Sequence, residues 1–208
     1  MKLAFSLLLF ALLATTGCRS PGQKLEPELI SQIKEGTTTR VEVEQTFGEP
    51  KQVMTGANHK TLTLHKYQID HHNPGWRGVA EGNAGFIELR GLTVLYDTNA
   101  IVEKFLFHKS NTVVRRDRDG ILIGWSPANA DFEKIKTGIT SLGEILQWYG
   151  TPSLHTLTVD GDRMLCWSFY REGRFRSQKR EQEFQVVLDS DDFVINFRII
   201  GNTDAAAD

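Results

Sequence analysis

An internal repeat constrains this chain more than any other feature of its sequence. Residues 33–50 (IKEGTTTRVEVEQTFGEP) align without gaps on residues 135–152 (IKTGITSLGEILQWYGTP), at an offset of 102 positions. Eight of the 18 aligned pairs are identical, whereas average composition would give about one. The chain therefore contains two copies of one structural unit.

The start of the repeated segment predicts a short first helix in each copy. Gly36 and Gly138 fit the left-handed position that follows a helix C-terminus. That helix would begin near residues 26–27 in the first copy and near Asp131 in the second. A second helix would follow at once, so we expect a helical hairpin in each copy.

The second helix of each hairpin carries a capping box. Thr39 with Glu42, and Ser141 with Glu144, have the spacing in which a hydroxyl accepts from the N3 amide and a carboxylate reaches back to the N-cap amide. The predicted stop signals are Gly48 with Pro50 in the first copy and Gly150 with Pro152 in the second.

Strand-like patterns follow both hairpins. Residues 61–69 correspond to 163–170, 92–96 to 184–188, and 97–105 to 189–197. The last pair aligns at an offset of 92, so the first copy holds ten extra residues, which we expect mainly in a loop around residues 70–91. The predicted fold class is α+β, with two tandem repeats of two helices and an antiparallel sheet.

The N-terminus predicts export and lipidation. Lys2 precedes an apolar run at 3–13, and small residues at 14–17 lead to Cys18. This layout resembles a lipobox, with Thr15 at a position that is usually Leu. The resemblance implies a diacylglyceryl group on the Cys18 thiol, cleavage after Gly17 and fatty acylation, for example by palmitate, of the new amine. The alternative is an ordinary secretory signal cut near residue 14.

These features imply a domain order and a location. We expect a signal peptide at 1–17, a lipid-anchored tether at 18–26, a first repeat at 27–108, a linker at 109–130, a second repeat at 131–200 and a flexible tail at 201–208. Arg19 follows the cysteine in place of the Asp that retains many lipoproteins in the inner membrane. By resemblance, this favours the outer membrane, facing the periplasm.

The order of elements, together with the Ile-x-x-Gly-x-Thr and Phe/Tyr-Gly-x-Pro motifs, resembles the SmpA/OmlA (BamE-like) outer-membrane lipoprotein family. That family has a single module, and two in tandem look like the β-lactamase-inhibitor-protein architecture. The first resemblance implies a non-enzymatic envelope protein that binds a protein partner, in outer-membrane protein assembly or envelope integrity. The second implies an inhibitor of a periplasmic or secreted enzyme. A lipid-anchored enzyme with an unrecognised site is the remaining alternative.

Charge and motifs exclude several other functions. The net charge is -2 with a pI near 6.3, which together with export argues against a nucleic-acid partner. The densest basic segment, 171–180, reads as a solvated hairpin in preference to an anion site. No nucleotide-binding or hydrolase motif is present in the sequence, so no catalytic residue and no cofactor are predicted.

Three smaller groups of residues were candidates for chemistry or binding. His65, His71 and His72 with Asp70 could ligate a metal, but 70–75 reads more simply as a polar exit from a strand, so no metal is predicted. Trp76 and Arg77, in the inserted loop, are the candidate partner-binding residues. Packing of Trp76 onto the body of the protein is the alternative. Cys166 lies among apolar residues and should be a buried, inert thiol.

Overall fold

A computed structural model describes residues 24–72, 82–117, 120–124, 131–173 and 179–201. The described helices are α1 (Pro27–Ile30), α2 (Arg40–Phe47) and α3 (Leu142–Tyr149), and a 3-10 turn covers Phe132–Lys134. The strands are β1 (Gln52–Thr55), β2 (Thr61–His72), β3 (Gly82–Tyr96), β4 (Val102–Asp117), β5 (Gly120–Gly124), β6 (Leu154–Leu157), β7 (Arg163–Gly173), β8 (Lys179–Leu188) and β9 (Val194–Gly201). Within these residues, no helix is long and apolar enough to cross a membrane.

The nine strands in the described part of the chain belong to one antiparallel sheet. Its order is β1-β2-β3-β4-β5-β7-β8-β9, and β6 pairs with the part of β7 that β5 leaves free. The sheet forms a curled half-barrel, and 55% of the described residues are in strands and 15% in helices. The predicted class of two helix-helix-sheet α+β repeats is therefore wrong, because the helices are short and the strands continue through segments predicted to be loop and linker.

The strands extend well beyond their predicted limits. The inserted segment 70–91 was expected to be a loop, but it holds the end of β2 and most of β3, which pair in register up to His72 and Gly85. The expected linker, 109–130, contains the end of β4 and all of β5. Strand β5 pairs with β4 on one side and with β7 on the other, so it continues the sheet from one copy into the next.

The first predicted helix of each hairpin is shorter than expected. It is one turn in α1 and a 3-10 turn in the second copy, so neither reaches its glycine. Gly36 and Gly138 do have positive φ, 73° and 74°. Each donates its N–H to the last sheet strand of its own copy, at Val102 O and Val194 O, both at 2.7 Å. These glycines therefore dock a loop on the sheet and do not cap a helix.

The second helix of each hairpin is confirmed, including its capping box. Glu42 accepts the Thr39 N–H at 2.7 Å and the Thr39 hydroxyl accepts the Glu42 N–H at 3.3 Å. Ser141 and Glu144 repeat this pattern at 2.8 and 3.4 Å. Because both copies use the same local bonds, α2 and α3 begin at equivalent points on equivalent backbones.

Each copy has its own apolar core between its helix and one face of the sheet. In the first copy, Val43 and Phe47 of α2 pack against β3. In the second, Ile145 and Tyr149 of α3 pack against Trp167 and Phe184. A third, smaller cluster lies on the opposite face of the first copy's sheet and contains Leu62, Leu95 and Leu157. Since Leu157 belongs to β6, the second copy packs against the back of the first.

Candidate functional site

The face of β2–β4 that turns away from the helices is covered by the second copy. The Thr93 and Thr156 hydroxyl oxygens are 2.6 Å apart there, and Ser110 donates to the Ser153 carbonyl at 2.6 Å. Lys104 donates to the Gly161 carbonyl at 2.8 Å. These bonds join β3 and β4 to the start of the second copy's sheet. This part of the face is therefore a contact between the two copies.

A histidine pair lies in the same contact. His108 of β4 and His155 of β6 meet edge to face, with 6.0 Å between ring centroids. Burial lowers the pKa of both imidazoles, and His108 and Arg163 lower that of His155 further, to about 4. Both rings are therefore neutral at pH 7, and the positive charge of Arg163 disfavours a cation between them.

The histidines considered as metal ligands are not brought together. His65 is buried against Phe47, with ring centroids 6.3 Å apart. His71 lies six residues further along β2, about 20 Å away on an extended strand, and stacks on Phe86 at 4.6 Å. Within the described part of the chain, no group of three or more His, Cys, Asp or Glu residues is placed to hold a metal.

The other candidates from the sequence have different outcomes. Cys166 is a buried strand residue, as predicted; burial, and then the negative charge of Glu183 and a hydrogen bond to its carboxylate, raise the pKa of the thiol. A thiol in that state is a poor nucleophile. Cys18, Trp76 and Arg77 lie outside the described residues.

An exposed apolar surface lies on α3 and the turn beside it. It consists of Ile139, Leu142, Leu146 and Phe193, which we call the α3 patch. Ile139 is 67% exposed and Leu146 39%, and Leu142 lies half-buried one helical turn before Leu146. Ser141 pairs with Phe193 through a β-bridge, so the turn stands next to the start of the helix.

The first copy has a polar surface at the same place. The equivalents of Leu142 and Leu146 are Arg40 and Glu44, which form an ion pair with 2.7 Å between Arg40 Nε and Glu44 Oε1. The backbone is the same, since the Arg40 N–H donates to Ala100 O at 2.9 Å and the Leu142 N–H donates to Asp192 O at 2.8 Å. The difference between the two surfaces therefore comes from side chains alone.

Sequence reasoning missed the α3 patch, although its signal was available. Identical pairs in the repeat indicate structure that the two copies share. Pairs that differ at exposed positions indicate a surface that only one copy has. Thr37 opposite Ile139 and Glu44 opposite Leu146 are such pairs.

The fold and this surface define a sheet-rich protein with an internal repeat, in which the second copy carries an exposed apolar surface where the first copy has an ion pair. No protein-family model matches the chain, and neither a curated protein nor a solved structure matches it. The site must therefore be interpreted from its own chemistry.

Proposed function

We propose that this protein is a non-enzymatic envelope lipoprotein that binds a protein partner through the α3 patch. Cys18 carries its lipid anchor, and the protein faces the periplasm from the outer membrane, where it acts in outer-membrane protein assembly or envelope integrity. The anchor and the location rest on the resemblance of residues 1–19 to lipoprotein signals.

One observation carries the binding role, which is the contrast between α3 and α2. Water-exposed helix positions normally carry polar groups, as Arg40 and Glu44 do in the first copy. Clustered apolar side chains at the same positions are stabilised when a partner removes them from water. A surface that differs in this way between two copies of one unit is suited to docking.

The border of the patch indicates what the partner should offer. The carboxylate of Glu144 is exposed at the helix start, and Asp191 is exposed in the adjacent turn. The first copy has Asn99 where the second has Asp191. A partner with an apolar centre and basic groups at its rim would complement both parts of this surface.

The test transplants the first copy's residues into the second. A photo-crosslinking residue at Gln147 would be used in wild type, in Leu142→Arg with Leu146→Glu, and in Trp148→Thr. The last variant also takes its residue from the first copy and changes the other flank of α3. We expect crosslinking to one envelope protein in wild type and Trp148→Thr, and at least a tenfold loss in the double variant.

Equal crosslinking in all three proteins would refute docking at the α3 patch. The identity of the crosslinked protein decides the role, since a component of the outer-membrane assembly machinery supports assembly and a stoichiometric hydrolase supports inhibition. Inhibition through an open concave face is not proposed, because β6 covers part of that face in the first copy. Cys18→Ser tests the anchor separately, by release of the protein from membranes.

A further inference from the structure

A second exposed surface lies on the first copy, on the side of the sheet that carries the helices. His71, Phe86 and Val113 are cross-strand neighbours on β2, β3 and β4. Phe86 is 38% exposed and Val113 is 43% exposed. Alternation along β3 places Phe86 on the same face as Leu92 and the rest of the helix-covered core. We call these three residues the platform row.

The helices do not reach the platform row. The part of the sheet that the helical segment covers ends near Leu25, which precedes α1 and is buried in the first core. Arg90 of β3 binds the backbone here, since it donates to the Leu25 carbonyl at 3.2 Å and forms an ion pair with Glu26 at 3.3 Å. Phe86 lies four residues from Arg90 on the same strand face, about 13 Å away. The chain therefore enters the fold at the border between the covered and uncovered parts of this face.

The charges around the row are mainly positive. Lys109 and Arg115 are exposed and share the face of Val113 on β4. Glu88, on the same face, is engaged by Arg90 at 2.7 Å and by Lys109 at 3.4 Å. Among the described side chains of this face, the bases Arg90, Lys109 and Arg115 outnumber the acids Glu26 and Glu88, so the apolar row has basic neighbours.

The length of the tether limits what can cover this row. From Cys18 to Lys24 the chain can span at most about 25 Å when fully extended. A lipid on Cys18 would therefore hold the bilayer surface within reach of Leu25 and of the platform row beyond it. We propose that the platform row, with Lys109 and Arg115, rests on the bilayer surface. The proposal depends on the Cys18 anchor of the proposed function.

The partner in this proposal is the lipid surface itself. Aromatic and aliphatic side chains with flanking Lys and Arg suit the interface, since the apolar groups enter the headgroup region and the cations meet phosphate. The α3 patch has carboxylates at its border instead, which suits a protein partner. The two surfaces thus divide membrane contact and protein contact between the two copies.

The experiment uses the full-length acylated protein in vesicles of phosphatidylethanolamine with one quarter phosphatidylglycerol. Val113→Cys would be labelled with an environment-sensitive fluorophore, and Val41→Cys serves as the matched control. Val41 is an exposed β-branched residue of the same copy, on α2. Cys166 is buried and does not compete for the label. Flotation, quenching by spin-labelled lipid and quenching by aqueous iodide are measured on the same sample.

We expect the protein to float, with the label at position 113 quenched by lipid at least threefold more than the label at position 41. Adding Phe86→Glu should abolish most of that difference. If the protein floats and both labels are quenched equally by lipid, the platform row does not rest on the bilayer. Protection from iodide without lipid quenching would also overturn the proposal, because another protein surface would then cover the row. Failure to float refutes the Cys18 anchor, and the proposal falls with it.

Discussion

The hydroxyl oxygens of Thr93 and Thr156 lie 2.6 Å apart and are buried where the two copies of the repeat meet. One residue is on β3 of the first copy and the other on β6 of the second. Leu95 and Leu157 lie beside them in the apolar cluster between the copies. One of these two hydroxyls donates to the other, and in an apolar surrounding they have few alternative partners, so this bond favours one orientation of the copies.

Thr156→Val should reduce the free energy of unfolding by about 1–3 kcal/mol, because it leaves the Thr93 hydroxyl buried without its partner. Thr93→Val should have a similar effect. The double variant should lose less than the sum of the two, since no unpaired hydroxyl remains. Urea unfolding of the four proteins measures the coupling, and strict additivity would show that the two hydroxyls do not interact.

Acid should lower the free energy of unfolding through the histidines that lie in the same contact between the copies. Burial, His108 and Arg163 place the pKa of His155 at about 4 in the folded chain, below its value of about 6.5 in the unfolded chain. The unfolded chain therefore binds the proton more readily in acid. The free energy of unfolding should be steady above about pH 7 and should fall as the pH drops from about 6.5 to about 4.

His155→Gln provides the check on this assignment. It should reduce the slope of the free energy of unfolding over that window, measured by urea unfolding at half-unit pH steps. The remaining slope belongs to His65 and His108, whose pKa values burial also lowers. His59→Gln is the control, because His59 is exposed in a turn between β1 and β2. If both variants keep the wild-type slope, His155 does not report the contact between the copies.

The sequence predicted the parts of the fold in which one residue type is required by the backbone. The capping boxes at Thr39 and Ser141 are of this kind. So is the final turn, where Asp97 and Asp189 each accept the N–H two residues ahead at 2.9 Å. These features are local, and each depends on hydrogen bonds between residues close in the chain.

The fold class was missed because strand length is not a local property. Strand β5 begins and ends with glycine, a residue that marks turns and loops, and it is a strand because β4 and β7 flank it. Strands β1 and β6 have four residues each, too few to show alternation. The second copy covers the face of β2–β4 that turns away from the helices because the sheet curls. The degree of curling is not visible in any local residue pattern.

Gly124, where β5 pairs with β7, should not tolerate a side chain. Its φ is 82°, and a Cβ there would collide with the backbone carbonyl of Ser168 on β7. Gly124→Ala should cost about 3 kcal/mol or more, since the ladder between β5 and β7 must shift. Gly36→Ala is the matched comparison, with φ 73° but open space at the Cβ position.

Gly36→Ala should lower the free energy of unfolding only by the cost of holding alanine in a left-handed backbone conformation, about 1–2 kcal/mol. Thermal unfolding of both variants measures the difference. Equal losses would mean that the close approach at Ser168 relaxes freely, and that β5 does not hold the two copies in a fixed relation.

The transplanted patch should leave the fold intact. Leu142→Arg with Leu146→Glu recreates in α3 the ion pair that α2 already contains, and such exposed pairs contribute about 0.3–0.5 kcal/mol. Leu142 gives up part of its packing against the second core. The net change in the free energy of unfolding should therefore stay within about 1 kcal/mol of wild type, although two leucines are replaced by charges.

The inward face of the same helix should behave in the opposite way. Ile145 is fully buried in the second core, and Ile145→Ala should cost about 2–5 kcal/mol because it removes apolar contacts and leaves a cavity. Partner crosslinking by the molecules that remain folded should persist in that variant. We therefore expect substitutions on the outer face of α3 to change crosslinking, and substitutions on its inner face to change the free energy of unfolding. If the double variant unfolds as readily as Ile145→Ala, the leucines of α3 belong to the core and not to a docking surface.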